Sequence, residues 1–197
     1  MDLLIDVILR AGRSAVFCRF AGCNLWSGRE ADRATAVCQF CDTDFVGTDG
    51  TQGGKYTTAD ALADTVAAEW PANAAGGKPL VICTGGEPLL QLDNPLIDAL
   101  HARGFEIAIE TNGTIAVPEG IDWVTCSPKG FPLRLTHIDE IKVVYTGQDL
   151  TEYAGLKATW HFLQPCSCLN TKEVVEYILH HPQWHLSLQT HKLIDIS

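Results

Sequence analysis

Three cysteines near the start of the chain have ligand-like spacing: Cys23, fourteen residues, Cys38, two residues, Cys41. A close pair plus one distant thiolate can bind three irons of a four-iron cube and leave the fourth iron open to a substrate. Such an open position suits catalysis better than structural support. The competing reading is a zinc knuckle that recruits Cys18 as a fourth thiolate. In a strand over Ala15–Phe20 successive side chains point to opposite faces, so if Arg19 faces a cavity, Cys18 faces the outer helices and reads as core. Cys83 and Cys126 sit in apolar runs and read as core thiols, since free cysteine packs like a small hydrophobe. Cys166 and Cys168 occupy a polar loop with one residue between them, which is short for a zinc hairpin. They read as unligated thiols, with a second metal pair as the alternative. His180 and His181 end a helix, where the dipole favours imidazolium, and need no ligand role.

Composition limits what these thiols can mean. With 197 residues, 46% of them hydrophobic, the chain can bury one sizeable core, and a single domain over 1–197 is expected. Net charge is −10 and no run of Lys and Arg is long enough to follow a phosphate backbone, which disfavours nucleic-acid partners. The apolar stretch Leu3–Leu9 is too short to span a membrane, is interrupted by Asp6, and follows only Met1 and Asp2 rather than a basic leader. The expectation is a cytoplasmic protein without membrane partners. In that reducing compartment the eight cysteines are expected not to pair as disulfides.

The elements that must position the thiols follow from alternating β-branched or aromatic runs and helical patterns. Strands are expected near Ala15–Phe20, Leu80–Cys83, Phe105–Glu110, Trp123–Cys126, Glu140–Val144, Trp160–Leu163 and His185–Leu188. They lack strict polar alternation, as strands covered on both faces should. Thr58 can cap a helix whose Leu62, Val66 and Trp70 share a face and which Pro71 ends. A second helix covers Asn94–Ala102 with Gly104 as its stop, and a third runs from Thr171 to His180, capped by Asn170 or Thr171. The fold class is α/β, a partial (β/α) barrel with a parallel sheet and outer helices, whose sites form at the C-terminal ends of strands. Small or polar clusters stand at those ends: Cys23, Thr84–Pro88, Glu110–Gly113, Ser127–Lys129, Gln164-Pro165 and Gln189–Lys192.

The segment Cys18–Gly28, followed by Cys38-Gln39-Phe40-Cys41-Asp42-Thr43-Asp44-Phe45, resembles the 7-carboxy-7-deazaguanine synthases, radical S-adenosylmethionine enzymes of queuosine and deazapurine synthesis. The wide first gap between cysteines is discriminating, since most of that superfamily has a shorter one, and the resemblance runs over roughly residues 12–197. It implies a barrel of the radical S-adenosylmethionine type, a [4Fe-4S] cluster on Cys23, Cys38 and Cys41, and S-adenosylmethionine held at Gly86, Ser127, Pro128, Lys129 and Gln164. Reduction would release a 5′-deoxyadenosyl radical. Gly86 would let backbone approach the methionine amino group. Thr43 is similar to the family's Mg2+ ligand, a hydroxyl suited to a hard ion, although a Thr capping the turn after Asp42 is an equal reading of the residue itself.

The implied substrate is 6-carboxy-5,6,7,8-tetrahydropterin, facing Arg19, Thr84, His191 and the terminal carboxylate of Ser197. Arg19 can offer the pterin carboxylate a bidentate fork. The implied reaction is hydrogen abstraction, ring contraction and loss of ammonia to give 7-carboxy-7-deazaguanine. An electron donor such as flavodoxin and a homodimer are expected from the resemblance alone. The chain departs from the family at its start, where relatives carry a strand leading into Gln-Gly-Glu-Gly. Here Leu4–Arg10 holds no such motif, so the pterin contacts that it makes are missing. That departure keeps open a radical enzyme with another substrate, and a non-catalytic zinc or cluster binding protein.

Overall fold

Side-chain parity organises the sheet, because successive residues of a strand face opposite sides. In β2 (Ala15–Phe20), β3 (Leu80–Gly85), β4 (Glu106–Thr111) and β5 (Trp123–Cys126), one parity packs Val16, Cys18, Phe20, Val81, Cys83, Ile107, Ile109 and Val124 beneath two helices. These are α1 (Ala59–Glu69) and α2 (Asn94–Ala102), which contribute Leu62, Ala63, Val66, Leu96, Ile97 and Leu100. The other parity gathers Ala15, Phe17, Leu80, Ile82 and Ala108 on the opposite face, with Trp123 against them. Cys18 is 1% exposed on the helix side, as strand parity predicts.

The chain is seen as a computed structural model that describes residues 2–6, 13–50, 52–71, 76–130 and 132–193. Within it the side chains of 2–6, His191 and Leu193 lie outside the description. The sheet continues through β6 (Glu140–Tyr145), β7 (Trp160–Pro165) and β8 (His185–Leu186), with α3 (Thr151–Ala154), α4 (Thr171–His180) and α5 (Thr190–Leu193) after them in turn. Strand order follows chain order, and every pairing from β2 to β8 is parallel. Right-handed crossovers between sequential parallel strands carry the helices to one face, which leaves the other to form the concave interior of an open, partial barrel. Among the described residues no helix is long and apolar enough to cross a membrane.

Local chemistry explains the boundaries. Thr58 Oγ1 accepts the Ala61 N–H at 3.2 Å to start α1, and Asp93 Oδ1 accepts the Leu96 N–H at 3.1 Å to start α2. Gly104, at φ +81, supplies the left-handed residue that ends α2.

Several expectations are corrected. The strand β1 (Asp2–Asp6) pairs antiparallel with β2, from Asp2 opposite Arg19 to Asp6 opposite Ala15. It had no signal beyond a short apolar run broken by Asp6. The last strand stops at Leu186, and neither Asn170 nor Thr171 caps α4 through its side chain. Asn170 Oδ1 instead accepts the Cys166 N–H at 2.8 Å while its Nδ2 donates to Tyr145 O at 2.8 Å, and Thr171 Oγ1 donates to Cys168 O at 3.1 Å. These bonds fix a one-turn 3-10 segment, Cys166–Cys168, at the end of β7.

Candidate active site at the C-terminal ends of the strands

The loop from Cys23 to Cys41 is tied down by aromatic and backbone contacts rather than by long helices. Leu25 O accepts the N–H groups of Val37 and Cys38 at 3.1 and 3.3 Å, which returns the second cysteine to the first. Trp26 packs edge-on to the buried Phe45 at 5.6 Å, and the Arg33 guanidinium lies 4.0 Å over the Trp26 ring. The same guanidinium donates to Gln39 O at 3.1 Å and Cys41 O at 3.0 Å. The fourteen-residue gap is therefore the length of a closed Ω-like loop around one aromatic pair, with a 3-10 turn over Glu30–Thr35.

Its thiols carry hydrogen bonds that suit thiolate ligands. Cys23 Sγ accepts the Leu25 N–H at 3.5 Å, as cluster-bound thiolates do from backbone donors. Cys38 donates to Cys41, and that bond with the N–H and hydroxyl of Thr43 pulls the Cys41 thiol down to about 6. The same bond and burial push Cys38 well up. Among the described residues no group of three His, Cys, Asp or Glu side chains is arranged to hold a metal ion. Cys18 is buried on the far face beside Cys83 and is no fourth ligand.

Lys129 and Ser127 stand beside this pair. Lys129 Nζ donates to Ser127 Oγ at 2.7 Å and lies 5.2 Å over the Phe40 ring. Burial pushes its ammonium down, and the Cys38 and Cys41 sulfurs oppose that. Pro128 is buried between the two, and the Ser127 N–H donates to Thr111 O at 2.7 Å. Gln164 lies near the C-terminal end of β7, in register with Val144 of β6.

Gly86 is required by the packing of the two loops. A Cβ there would stand 2.0 Å from Gly22 O and 3.0 Å from Cys23 Cβ, so its bareness lets the loop after β3 nest against the loop carrying the first cysteine. Glu87 completes that junction. Fully buried, it accepts the Leu89 N–H at 3.1 Å, the Thr111 hydroxyl at 2.8 Å and the Asn112 N–H at 2.8 Å. Burial outweighs the three donors and raises its carboxyl above the usual range. Asn112 Nδ2 then donates to Asn24 Oδ1 at 2.9 Å, which locks the residue after Cys23.

Below the thiols, the concave face of the sheet carries a polar row. Arg19 and Thr84 are register partners, and Thr84 Oγ1 donates to Glu110 Oε2 at 3.1 Å. Lys142 Nζ donates to Glu110 Oε1. Burial disfavours the charge on both groups, but their mutual attraction wins, so Glu110 is held below the ordinary carboxylate range and Lys142 above the ordinary ammonium range. Arg19 lowers Glu110 further through space. Sequence reasoning placed Glu110 in a strand-end cluster without giving it a role, and missed Lys142. The signal for Lys142 was a charge set between Ile141 and Val143 in the strand Glu140–Tyr145.

The expected contact His191 lies on α5, with its side chain outside the description, and Ser197 lies outside the described residues. Thr43 turns its hydroxyl to the Cys41 sulfur, and its oxygen lone pairs remain able to meet a cation.

No protein-family model matches the chain. It is 58% identical over 193 residues to the 7-carboxy-7-deazaguanine synthase of Burkholderia multivorans, an alignment that covers 94% of this chain and 91% of the relative. It is 54% identical to the enzyme of that name from Caulobacter vibrioides, over 95% and 91% of the two chains. A more distant relative of the same name, from Synechocystis sp., is 32% identical over 94% and 86%. The fold is similar to that of the solved structure described as QueE from Escherichia coli, with a TM-score of 0.68, 24% identity, and coverage of 95% of this chain and 92% of that one.

Proposed function

The chain belongs to the 7-carboxy-7-deazaguanine synthase family, and from that premise we propose how its residues carry out the ring contraction of 6-carboxy-5,6,7,8-tetrahydropterin, with loss of ammonia, to 7-carboxy-7-deazaguanine. The observation that carries this reading is identity above one half to relatives of that name over more than nine-tenths of the chain. The enzyme is a radical S-adenosylmethionine lyase. Its cluster and S-adenosylmethionine, when bound, supply the 5′-deoxyadenosyl radical that removes a hydrogen atom from the pterin.

The protein's own residues bind, orient and exclude water. Cys23, Cys38 and Cys41 hold the cluster, and Gly86, Ser127, Pro128, Lys129 and Gln164 line the S-adenosylmethionine site. Lys129, buried beside two of the thiols, offers a cation to the carboxylate or hydroxyls of that molecule. Arg19 takes the pterin carboxylate as a fork, with Thr84 beside it, and His191 and Ser197 are the further pterin contacts that the family likeness implies. Glu110, kept ionised by Lys142, accepts N–H donors of the heterocycle. The apolar floor of Phe17, Ile82 and Ala108 keeps water from the reacting face. Thr43 would offer its hydroxyl to Mg2+, a hard ion that would help hold the substrate's oxygens. A flavodoxin-like electron donor and a homodimer rest on the family likeness.

The test is anaerobic turnover of reconstituted protein with the carboxytetrahydropterin, S-adenosylmethionine, Mg2+ and a reductant. Formation of 7-carboxy-7-deazaguanine is the expected result. Production of 5′-deoxyadenosine without any deazaguanine would overturn the substrate assignment, and protein purified anaerobically with zinc but no iron or sulfide would overturn the radical chemistry. Omission of Mg2+, with full activity retained after chelation, would remove Thr43 from the list of metal ligands.

A further inference from the structure

The residue after the last cluster cysteine does something its motif does not announce. Asp42 Oδ2 accepts three hydrogen bonds: from Ser167 Oγ at 3.1 Å, Gln189 Nε2 at 3.1 Å and Lys192 Nζ at 2.5 Å. Its donors come from 125, 147 and 150 residues away. Lys192 Nζ also donates to Gln189 Oε1 at 3.1 Å, and the Cys168 thiol reaches the same oxygen at 3.9 Å. One carboxylate oxygen thus gathers the cluster loop, the turn after β7 and the C-terminal segment.

Two further observations separate this from an incidental surface ion pair. Ser167 and Cys168 sit at φ 47 and φ 64, a left-handed region that L side chains rarely adopt, and the Asn170 bonds to Cys166 N–H and Tyr145 O hold that turn in place. The unusual backbone is what aims the Ser167 hydroxyl at Asp42. The C-terminal segment, in turn, has little else to hold it. The Ser187 N–H donates to Leu163 O at 2.9 Å, and beyond it every described hydrogen bond from residues 188–193 to the rest of the fold ends on Asp42 or Cys168. A four-residue helix such as α5 has no stability of its own.

We propose that Asp42 is a positioning residue that latches the C-terminal segment onto the cluster loop, so that the helix bearing His191, the pterin contact proposed above, is held in place only while that loop is in its cluster-binding conformation. This rests on the function proposed above for the identity of the ligand, but the latch itself is a property of the fold. Its consequence is order of assembly: a cluster-free protein holds its C-terminal segment loosely and binds pterin poorly. A cluster-loaded one has both the radical source and a closed pocket.

The experiment uses Lys192→Met, an exposed position outside the proposed cluster ligands, with Lys192→Arg as the conservative control. Hydrogen–deuterium exchange of amides 187–193 is followed in cluster-free and reconstituted protein. In the parent chain and in Lys192→Arg, reconstitution should slow exchange of this segment about tenfold, and in Lys192→Met that protection should be lost, as expected for one charge-assisted bond. Iron and sulfide content should stay equal in all three. In turnover, Lys192→Met should raise KM for the pterin about tenfold while the KM for S-adenosylmethionine stays within about twofold of the parent. Equal exchange in loaded and cluster-free parent protein, unchanged exchange in Lys192→Met, or a matching rise in both KM values would each overturn the latch. Because exchange needs no substrate, a chain that behaves as expected there but forms no deazaguanine refutes the proposed function and leaves the latch standing.

Discussion

Glu110 and Lys142 form an ion pair that neither residue could sustain alone. Each is largely withdrawn from water, and a buried charge left without its partner costs several kcal/mol. Lys142→Met should therefore destabilise the protein by about 3 kcal/mol at neutral pH, measured by urea unfolding, with part of the loss recovered in Lys142→Met/Glu110→Gln. The sign of the pH dependence follows from the shifts. Glu110 is depressed, so its contribution is present above the ordinary carboxylate range and is lost as pH falls through its lowered folded value. Lys142 is raised, so its contribution is present below the ordinary ammonium range and is lost as pH rises through its folded value. The penalty of Lys142→Met should shrink in acid, where Glu110 takes up a proton; a penalty independent of pH would show that packing, not charge, is responsible. A second expectation concerns Cys41, held near 6 by Cys38 and Thr43. In cluster-free protein it should be carboxymethylated by iodoacetate ahead of Cys38, with mass-spectrometric peptide mapping as the readout. The thiol spacing made these cysteines legible in the sequence, because ligand spacing is local. The ion pair was not, because its members lie 32 residues apart and meet only through the register of β4 and β6.

At the scale of elements, strands and the two long crossover helices were readable because their signals are local too. All seven expected strands start at the residue expected or within one of it, four of them also end within one residue of the expected end, and α2 covers Asn94–Ala102 as the Gly104 stop implies. What was not readable depends on a neighbour. β1 exists because β2 offers it an antiparallel edge, and Asn170 caps nothing because Cys166 N–H and Tyr145 O already occupy its side chain. The junction of the loops after β2 and β3 shows the same dependence. Gly86 N–H donates to Phe20 O at 3.0 Å and Glu87 N–H to Gly22 O at 2.9 Å, an approach that leaves no room for a methyl group. Gly86→Ala should lower stability by about 1–3 kcal/mol, seen as a drop of several degrees in melting temperature. It should also displace Cys23, so iron bound per chain after reconstitution falls. Retention of iron at the parent level, together with an unchanged melting temperature, would mean that the two loops separate freely.

Over the whole molecule the core is divided, and the sheet is what joins its parts. One apolar cluster packs β2–β5 under α1 and α2, while a second gathers Cys126, Ile141, Val143, Leu163, Val174 and Trp184. Between them the ladder from β5 to β6 has only two register pairs, Thr125 with Glu140 and Cys126 with Ile141. Asp139 reinforces this narrow seam. Its Oδ2 accepts the Val124 N–H at 2.8 Å, its own N–H donates to Val124 O at 3.0 Å, and its carbonyl accepts the Thr159 and Trp160 N–H groups at 3.0 Å. The proposed site spans the seam, since Arg19, Thr84 and Glu110 lie on one side and Lys142 and Gln164 on the other, so the proposed catalysis requires the halves to behave as one domain. Equilibrium unfolding of the parent should accordingly be a single transition, coincident by far-UV circular dichroism and by tryptophan fluorescence, which samples Trp70 in one half and Trp184 in the other. Asp139→Ala leaves the Val124 N–H without its acceptor, at a cost of about 1–3 kcal/mol. Native-state hydrogen exchange should then find the amides of β6 and β7 opening about tenfold more often while those of β3 and α2 keep their protection. Two separated transitions in the parent would refute the single domain. A uniform rise in exchange across both halves of the variant would mean instead that Asp139 stabilises the whole sheet rather than its seam.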